Sequence, residues 1–144
     1  MNKLIETIDL TKVYGEKETS VTALNSITTA FNENQFTAIM GPSGSGKSTL
    51  LHCLAGLDKV TSGSILINGI DLASLNDKEL TKMRRDSFGF VFQAFNLIPT
   101  LTAEENITLP SSIAGRKPED EWVEQVINAM DIGDRLEHRP NELS

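Results

Sequence analysis

Apolar positions along the chain first alternate with polar ones and later recur at helical spacing. Residues 4–10, with Leu4, Ile8 and Leu10 apolar, predict a strand. Residues 11–20 read as a polar connection that contains the only tyrosine, Tyr14. Residues 22–31 carry Leu24, Ile27 and Phe31 and predict a second strand, twisted or bulged. Residues 35–40 (Gln-Phe-Thr-Ala-Ile-Met) predict a buried strand, and Leu50, Leu51, Leu54 and Leu57 a helix that opens near Gly46 and ends near Gly56. Residues 64–67 form a short predicted strand closed by the turn dipeptide Asn68-Gly69. Asp77 is the expected cap of a helix to about Arg85, with Leu80 and Met83 on its inner side.

Residues 88–92 (Phe-Gly-Phe-Val-Phe) predict another buried strand, with Gln93 at its carboxyl end, the end at which ligands bind in open α/β sheets. Thr102 and Glu105 form a capping-box pair for a short helix that Pro110 is expected to close. Pro118 is expected to open one more helix, buried along Trp122, Val123, Val126, Ile127 and Met130, before Gly133 breaks the pattern. Strands dominate up to Gln93 and helices after it. The fold class is therefore α/β, with a nucleotide-binding core over residues 1–93 and a helical subdomain over 94–144.

Between a predicted strand and a predicted helix lies Gly41-Pro42-Ser43-Gly44-Ser45-Gly46-Lys47-Ser48-Thr49. It fits G-x-x-x-x-G-K-[ST], the phosphate-binding loop. Glycines let the backbone turn tightly and bring its N–H groups up to an anion. The helix start adds its free N–H groups and the positive end of its dipole. Lys47 is placed to reach the β- and γ-phosphates, and the Ser48 hydroxyl to ligate Mg²⁺. The flanking strand and helix patterns are what separate this reading from a chance Gly/Ser-rich turn.

Composition narrows the setting. Residues of the apolar set make up 39% of the 144, and no apolar run approaches the ~20 residues of a membrane span. The amino-terminal stretch does not read as a secretion signal, because Glu6 and Asp9 interrupt it. Cys53 is the only cysteine, which suggests a reduced, cytoplasmic setting with Cys53 as a small core residue. A formal net charge of -7 argues against a nucleic-acid partner.

Taken together, the motifs resemble the ATPase subunits of ATP-binding-cassette (ABC) transporters. Beyond the phosphate loop, Tyr14 matches the family's adenine-stacking aromatic, and Phe90-Val91-Phe92-Gln93 its strand and Q-loop glutamine. Leu143-Ser144 after Pro140-Asn141-Glu142 is similar to the first two residues of the signature motif. Residues 89–97 and 101–106 look like the subgroup that serves lipoprotein release, macrolide export and peptide-antibiotic resistance. The resemblance implies a P-loop core with a partial parallel sheet, an antiparallel β subdomain and the start of a helical subdomain. It also implies ATP and Mg²⁺ as ligands. Lys47 and Gln93 take catalytic roles, Ser48 and Gln93 the metal, and Tyr14 with residues 41–49 the nucleotide, Thr49 at the α-phosphate. The implied partners are a transmembrane permease docking near residues 93–101, through Phe95, Leu97 and Ile98, and a second ATPase subunit. The implied location is the cytoplasmic face of the cell membrane, held there through the permease.

The chain departs from that family pattern after the signature stub. The family's later strand of four apolar residues ending in Asp-Glu, and its switch histidine, have no match in residues 1–144. His52 and His138 stand elsewhere and read as structural. The expectation is an amino-terminal part of a cassette ATPase that binds ATP and does not hydrolyse it. Two other readings use the same loop: a nucleotide-binding module that binds ATP without turning it over, and a small P-loop kinase. A kinase wants a basic lid to grip the transferring phosphate. The region after Gln93 is acidic, with mainly Arg116, Lys117, Arg135 and Arg139 against it, which disfavours the kinase.

Overall fold

The computed structural model describes residues 2–143. They group into two compact units, residues 1–88 and 89–144. The signature stub at Ser144 lies outside the described residues.

The first unit is built on a four-stranded antiparallel sheet in the order β2-β1-β3-β4. Strand β1 (Lys3–Tyr14) pairs with β2 (Val21–Asn32) on one side and with β3 (Ser62–Ile67) on the other. β1 runs four residues beyond the expected Leu10, because Lys12, Val13 and Tyr14 find partners in Leu24, Thr22 and Val21. The expected bulge is present. Asp9 and Ser26 take positive φ (47° and 51°), and the register shifts between Thr7 and Leu10. Side chains replace the ladder there: the Asp9 amide donates to Thr28 Oγ1 (2.9 Å), the Ser26 amide to Thr11 Oγ1 (3.0 Å), and Thr7 Oγ1 to the Ile27 carbonyl (2.9 Å). This satisfies the polar side chain of Thr7, which is fully buried.

β3 turns into the two-residue β4 (Ile70–Asp71) through Asn68 and Gly69, both at positive φ (48° and 78°). That is the type I′ geometry an Asn-Gly hairpin favours. Helix α1 (Lys47–Leu54) lies on the sheet, and Leu10, Leu24, Cys53, Leu54, Ile65 and Ile67 form the buried core between them. Cys53 is fully buried as expected, and burial pushes its thiol up. Helix α2 (Asp77–Ser87) starts one residue earlier than the sequence suggested. Asn76, not Asp77, is the cap: its Oδ1 accepts from the amides of Lys78 (3.1 Å) and Glu79 (3.0 Å), while Glu79 Oε2 accepts from the Asn76 amide (2.9 Å).

Two expected strands do not form. Residues 35–40 and 88–92 carry no strand assignment and no ladder pairing among the described residues. Phe36 and Met40 are 98% and 87% exposed, and Val91 is 96% exposed. Their apolar composition is that of buried central strands, but a strand exists only where a neighbour supplies its hydrogen bonds. The sheet that does form is antiparallel throughout, so the parallel part of the expected α/β sheet is not built among the described residues.

The second unit carries α3 (Ala103–Ile113) and α4 (Asp120–Ala129). Thr102 and Glu105 do form the capping box of α3, and the Ala103 and Glu104 amides donate to the carbonyls of His138 (2.8 Å) and Leu136 (3.0 Å). Pro110 does not end this helix. It removes one backbone donor, yet the Ala114 amide still reaches the Pro110 carbonyl (3.1 Å) and the helix completes another turn. α4 opens at Asp120 after its cap Glu119, two residues later than Pro118 implied. Its expected stripe is only partly covered: Ile127 is buried, whereas Trp122 is 63% exposed and Met130 is exposed as well. Among the described residues no helix is long and apolar enough to cross a membrane.

Candidate functional site

The loop over residues 41–49 is shaped by its glycines and pinned by its lysine. Gly46, immediately before α1, adopts φ +86°. A Cβ at this position would stand 2.4 Å from the Ala23 carbonyl oxygen and 3.1 Å from Leu24 Cδ2, so the loop lies directly on β2. Only glycine meets both demands. The Ser45 amide closes a turn on the Pro42 carbonyl (3.3 Å), and the Leu50 amide makes the first helical bond to the Gly46 carbonyl (2.8 Å). The Lys47 ammonium folds back over the loop and donates to the carbonyls of Gly41 (2.9 Å) and Pro42 (2.7 Å), with Ser45 Oγ at 3.3 Å. A helix start and one cation thus share the same exposed loop, which suits a polyanion such as a phosphate chain.

Tyr14 ends β1 in the same unit and is 40% exposed. Its hydroxyl donates to Asp58 Oδ2. Asp58 Oδ1 accepts from Lys12 Nζ at 2.7 Å. Lys12 Nζ also lies 4.6 Å from the centroid of the Tyr14 ring, within cation–π range. These contacts act on ionisation in consistent directions. Lys12 and then Tyr14 hold the Asp58 carboxyl below its ordinary value, and the hydrogen bond to Asp58 raises both Lys12 and Tyr14. A carboxyl held low by its partners stabilises the fold above its ordinary range, and that contribution is lost as pH falls through the lowered value. Sequence reasoning found Tyr14 but missed Lys12 and Asp58. They lie 46 residues apart, and no local spacing announces such a pair.

Gln93, Phe95, Leu97 and Ile98 belong to the second unit. Gln93 sits on an exposed bend rather than at the end of a formed strand. Phe95 is 93% exposed, and with Asn96, Leu97, Pro140 and Leu143 it lines an apolar recess of about 390 Å³. The segment leading into α3 is held by Asn106, another residue whose role no spacing foretold. Asn106 Oδ1 accepts from the Ile98 amide (2.8 Å), and Nδ2 donates to the carbonyls of Ile98 (3.2 Å), Leu101 (3.2 Å) and Thr102 (2.9 Å). Asn106→Ala is expected to cost about 1–3 kcal/mol, because several backbone groups lose their partner at once. Hydrogen exchange checks this, with faster exchange concentrated at the Ile98 amide and the start of α3.

Among the described residues no group of three or more His, Cys, Asp or Glu side chains could hold a metal ion.

Comparison with known proteins places these features in company. The family model described as "ABC transporter" matches residues 24–144. The macrolide export ATP-binding/permease protein MacB of Marinobacter nauticus is 45% identical over 143 residues, covering 98% of this chain and 22% of that protein. The lipoprotein-releasing system ATP-binding protein LolD of Geobacter metallireducens is 43% identical over 146 residues, covering 100% of this chain and 65% of that protein. The dimeric structure of the bacterial ABC transporter cassette MJ0796 superposes with a TM-score of 0.85 at 42% identity, over 97% of this chain and 63% of that one. A dimeric post-hydrolysis state of MJ0796 bound to ADP and Pi gives a TM-score of 0.84 at 41% identity, over 97% of this chain and 63% of that one. The chain thus spans less than two thirds of the relatives it matches.

Proposed function

The chain belongs to the ABC transporter family, and from that premise we propose that it is the ATP-binding part of a membrane exporter that couples ATP binding and hydrolysis to transport. The observation that carries this reading is the phosphate loop: a glycine-turned cradle pressed onto β2, with Lys47 at its mouth. In this assignment residues 41–49 wrap the phosphates, Lys47 meets the β- and γ-phosphates, and Thr49 lies toward the α-phosphate. Tyr14 offers its ring to the adenine. Ser48 and Gln93 are the protein ligands of Mg²⁺, which when bound neutralises charge on the phosphates.

A permease partner fits the exposed Phe95, Leu97 and Ile98, since clustered exposed apolar side chains mark interaction surfaces. Docking there would hold the chain against the cytoplasmic face of a membrane. A second ATPase subunit is the other proposed partner, in keeping with the dimeric MJ0796 cassettes. The division at Gln93, with the nucleotide core before it and the helical subdomain after it, is part of the same proposal.

Calorimetric titration with Mg-ATP tests the reading. The chain is expected to bind, and Lys47→Ala to weaken both ATP and inorganic tripolyphosphate by about 10- to 100-fold, because it removes charge-assisted hydrogen bonds to phosphate. Equal affinity of the two proteins for ATP would refute the assignment of the loop.

A further inference from the structure

We propose that Asp58 and Lys12 form a brace that fixes the ring of Tyr14 and leaves only the face away from Lys12 for an adenine base. The proposal rests on the reading of this loop as an ATP site and concerns how its base-binding side is held.

The brace is anchored at every point. Asp58 follows α1, and its own amide and that of Leu57 donate to the His52 carbonyl (3.3 and 2.9 Å). A few residues on, the Thr61 amide donates to the Thr11 carbonyl (2.9 Å) and Thr61 Oγ1 accepts from the Val13 amide (2.9 Å). The Asp58 carboxylate therefore stands on backbone tied to both the helix and β1. Its two oxygens are divided, one to Lys12 and one to the Tyr14 hydroxyl. Lys12 has a second fixed acceptor in the Lys59 carbonyl (2.7 Å), and its side chain is only 11% exposed.

Lys12 and Tyr14 are two residues apart on β1 and so point to the same side of the sheet. That places the ammonium against the ring and the carboxylate at the hydroxyl. The orientation of the ring is thereby set by side chains rather than left to rotation about χ1 and χ2. A half-exposed tyrosine without such ties would have to be ordered by its ligand, at a cost in affinity.

The tests use the whole chain and two probes, Mg-ATP and inorganic tripolyphosphate, the second having no base. Tyr14→Phe keeps the ring and its packing and removes only the hydroxyl; Asp58→Ala removes the carboxylate; Tyr14→Ala removes the platform. Each of the first two is expected to weaken ATP by about three- to tenfold with tripolyphosphate unchanged, and Tyr14→Ala to weaken ATP by at least as much. Lys12→Met is expected to shift ATP in the same direction. A purely structural role would move both probes together or neither, so the ratio of the two affinities is the deciding quantity. ATP selectivity lost in Tyr14→Ala but intact in Tyr14→Phe and Asp58→Ala overturns the brace and leaves the platform standing. Selectivity intact in Tyr14→Ala overturns the platform and the brace with it. Should Asp58→Ala fail to fold, Tyr14→Phe decides alone.

Discussion

Gly46→Ala is expected to destabilise the first unit by about 2–4 kcal/mol and to remove measurable nucleotide binding. Two costs add at this residue. The left-handed conformation at φ +86° disfavours any Cβ by roughly 1–2 kcal/mol. The Cβ would also stand 2.4 Å from the Ala23 carbonyl oxygen, which is backbone of a paired strand and cannot swing aside as a side chain does. The loop must lift off β2, and the cradle and the start of α1 move with it. Gly44→Ala is the control: its φ of +78° is similar, but a Cβ there meets nothing within 4 Å. It should cost only about 1–2 kcal/mol. Urea denaturation of the two variants, with Mg-ATP titration alongside, checks the difference. Equal losses in both would show that conformation alone matters and that the contact with β2 does not.

The second large effect concerns turnover. Residues 1–144 are expected to bind Mg-ATP without releasing phosphate at a measurable rate. Phosphoryl transfer to water requires the γ-phosphate, the metal and the attacking water to be held in line, and catalysis is almost wholly positioning and electrostatics. On the proposed reading the sequence offers the cradle, Lys47 and the candidate Mg²⁺ ligands Ser48 and Gln93. It contains no run of four apolar residues followed by Asp-Glu to support the metal and polarise a water. Removing one charge-stabilising donor in an enzyme already costs on the order of 10²–10³ in rate. Groups that act as a unit fail together rather than one by one. Phosphate release is the measurement, with Lys47→Ala protein run in parallel to expose a contaminating ATPase. Release that vanishes with Lys47 would show that these residues suffice for hydrolysis.

Much of the first unit was legible in the sequence because its signals are local. Alternation marked β1 and β2, Asn68-Gly69 the hairpin, and the glycines and Lys47 the loop. The Thr102–Glu105 box was equally legible, since both partners of a cap lie within four residues. What escaped depends on partners distant in sequence. Residues 35–40 and 88–92 have the composition of buried strands, yet composition cannot supply the neighbour that turns an extended segment into a strand. Trp122 read as core because its spacing fits an apolar stripe, but burial is set by what faces the stripe. Lys12 and Asp58 meet through the pairing of β1 with the chain after α1, which no motif encodes. Pro110 shows the converse: a strong local breaker overridden by the bonds on either side of it.

The posture of Lys47 changes what affinity at this loop measures. Its ammonium already holds two carbonyls of its own loop, at 2.9 and 2.7 Å. A phosphate chain arriving there does not meet a dangling charge; it competes with peptide oxygens for it. Binding is then an exchange of acceptors, worth the difference between phosphate and carbonyl rather than the full strength of a new contact. On the reading of this loop as a phosphate site, the same side chain is both a clasp for its own backbone and the counterion offered to a ligand.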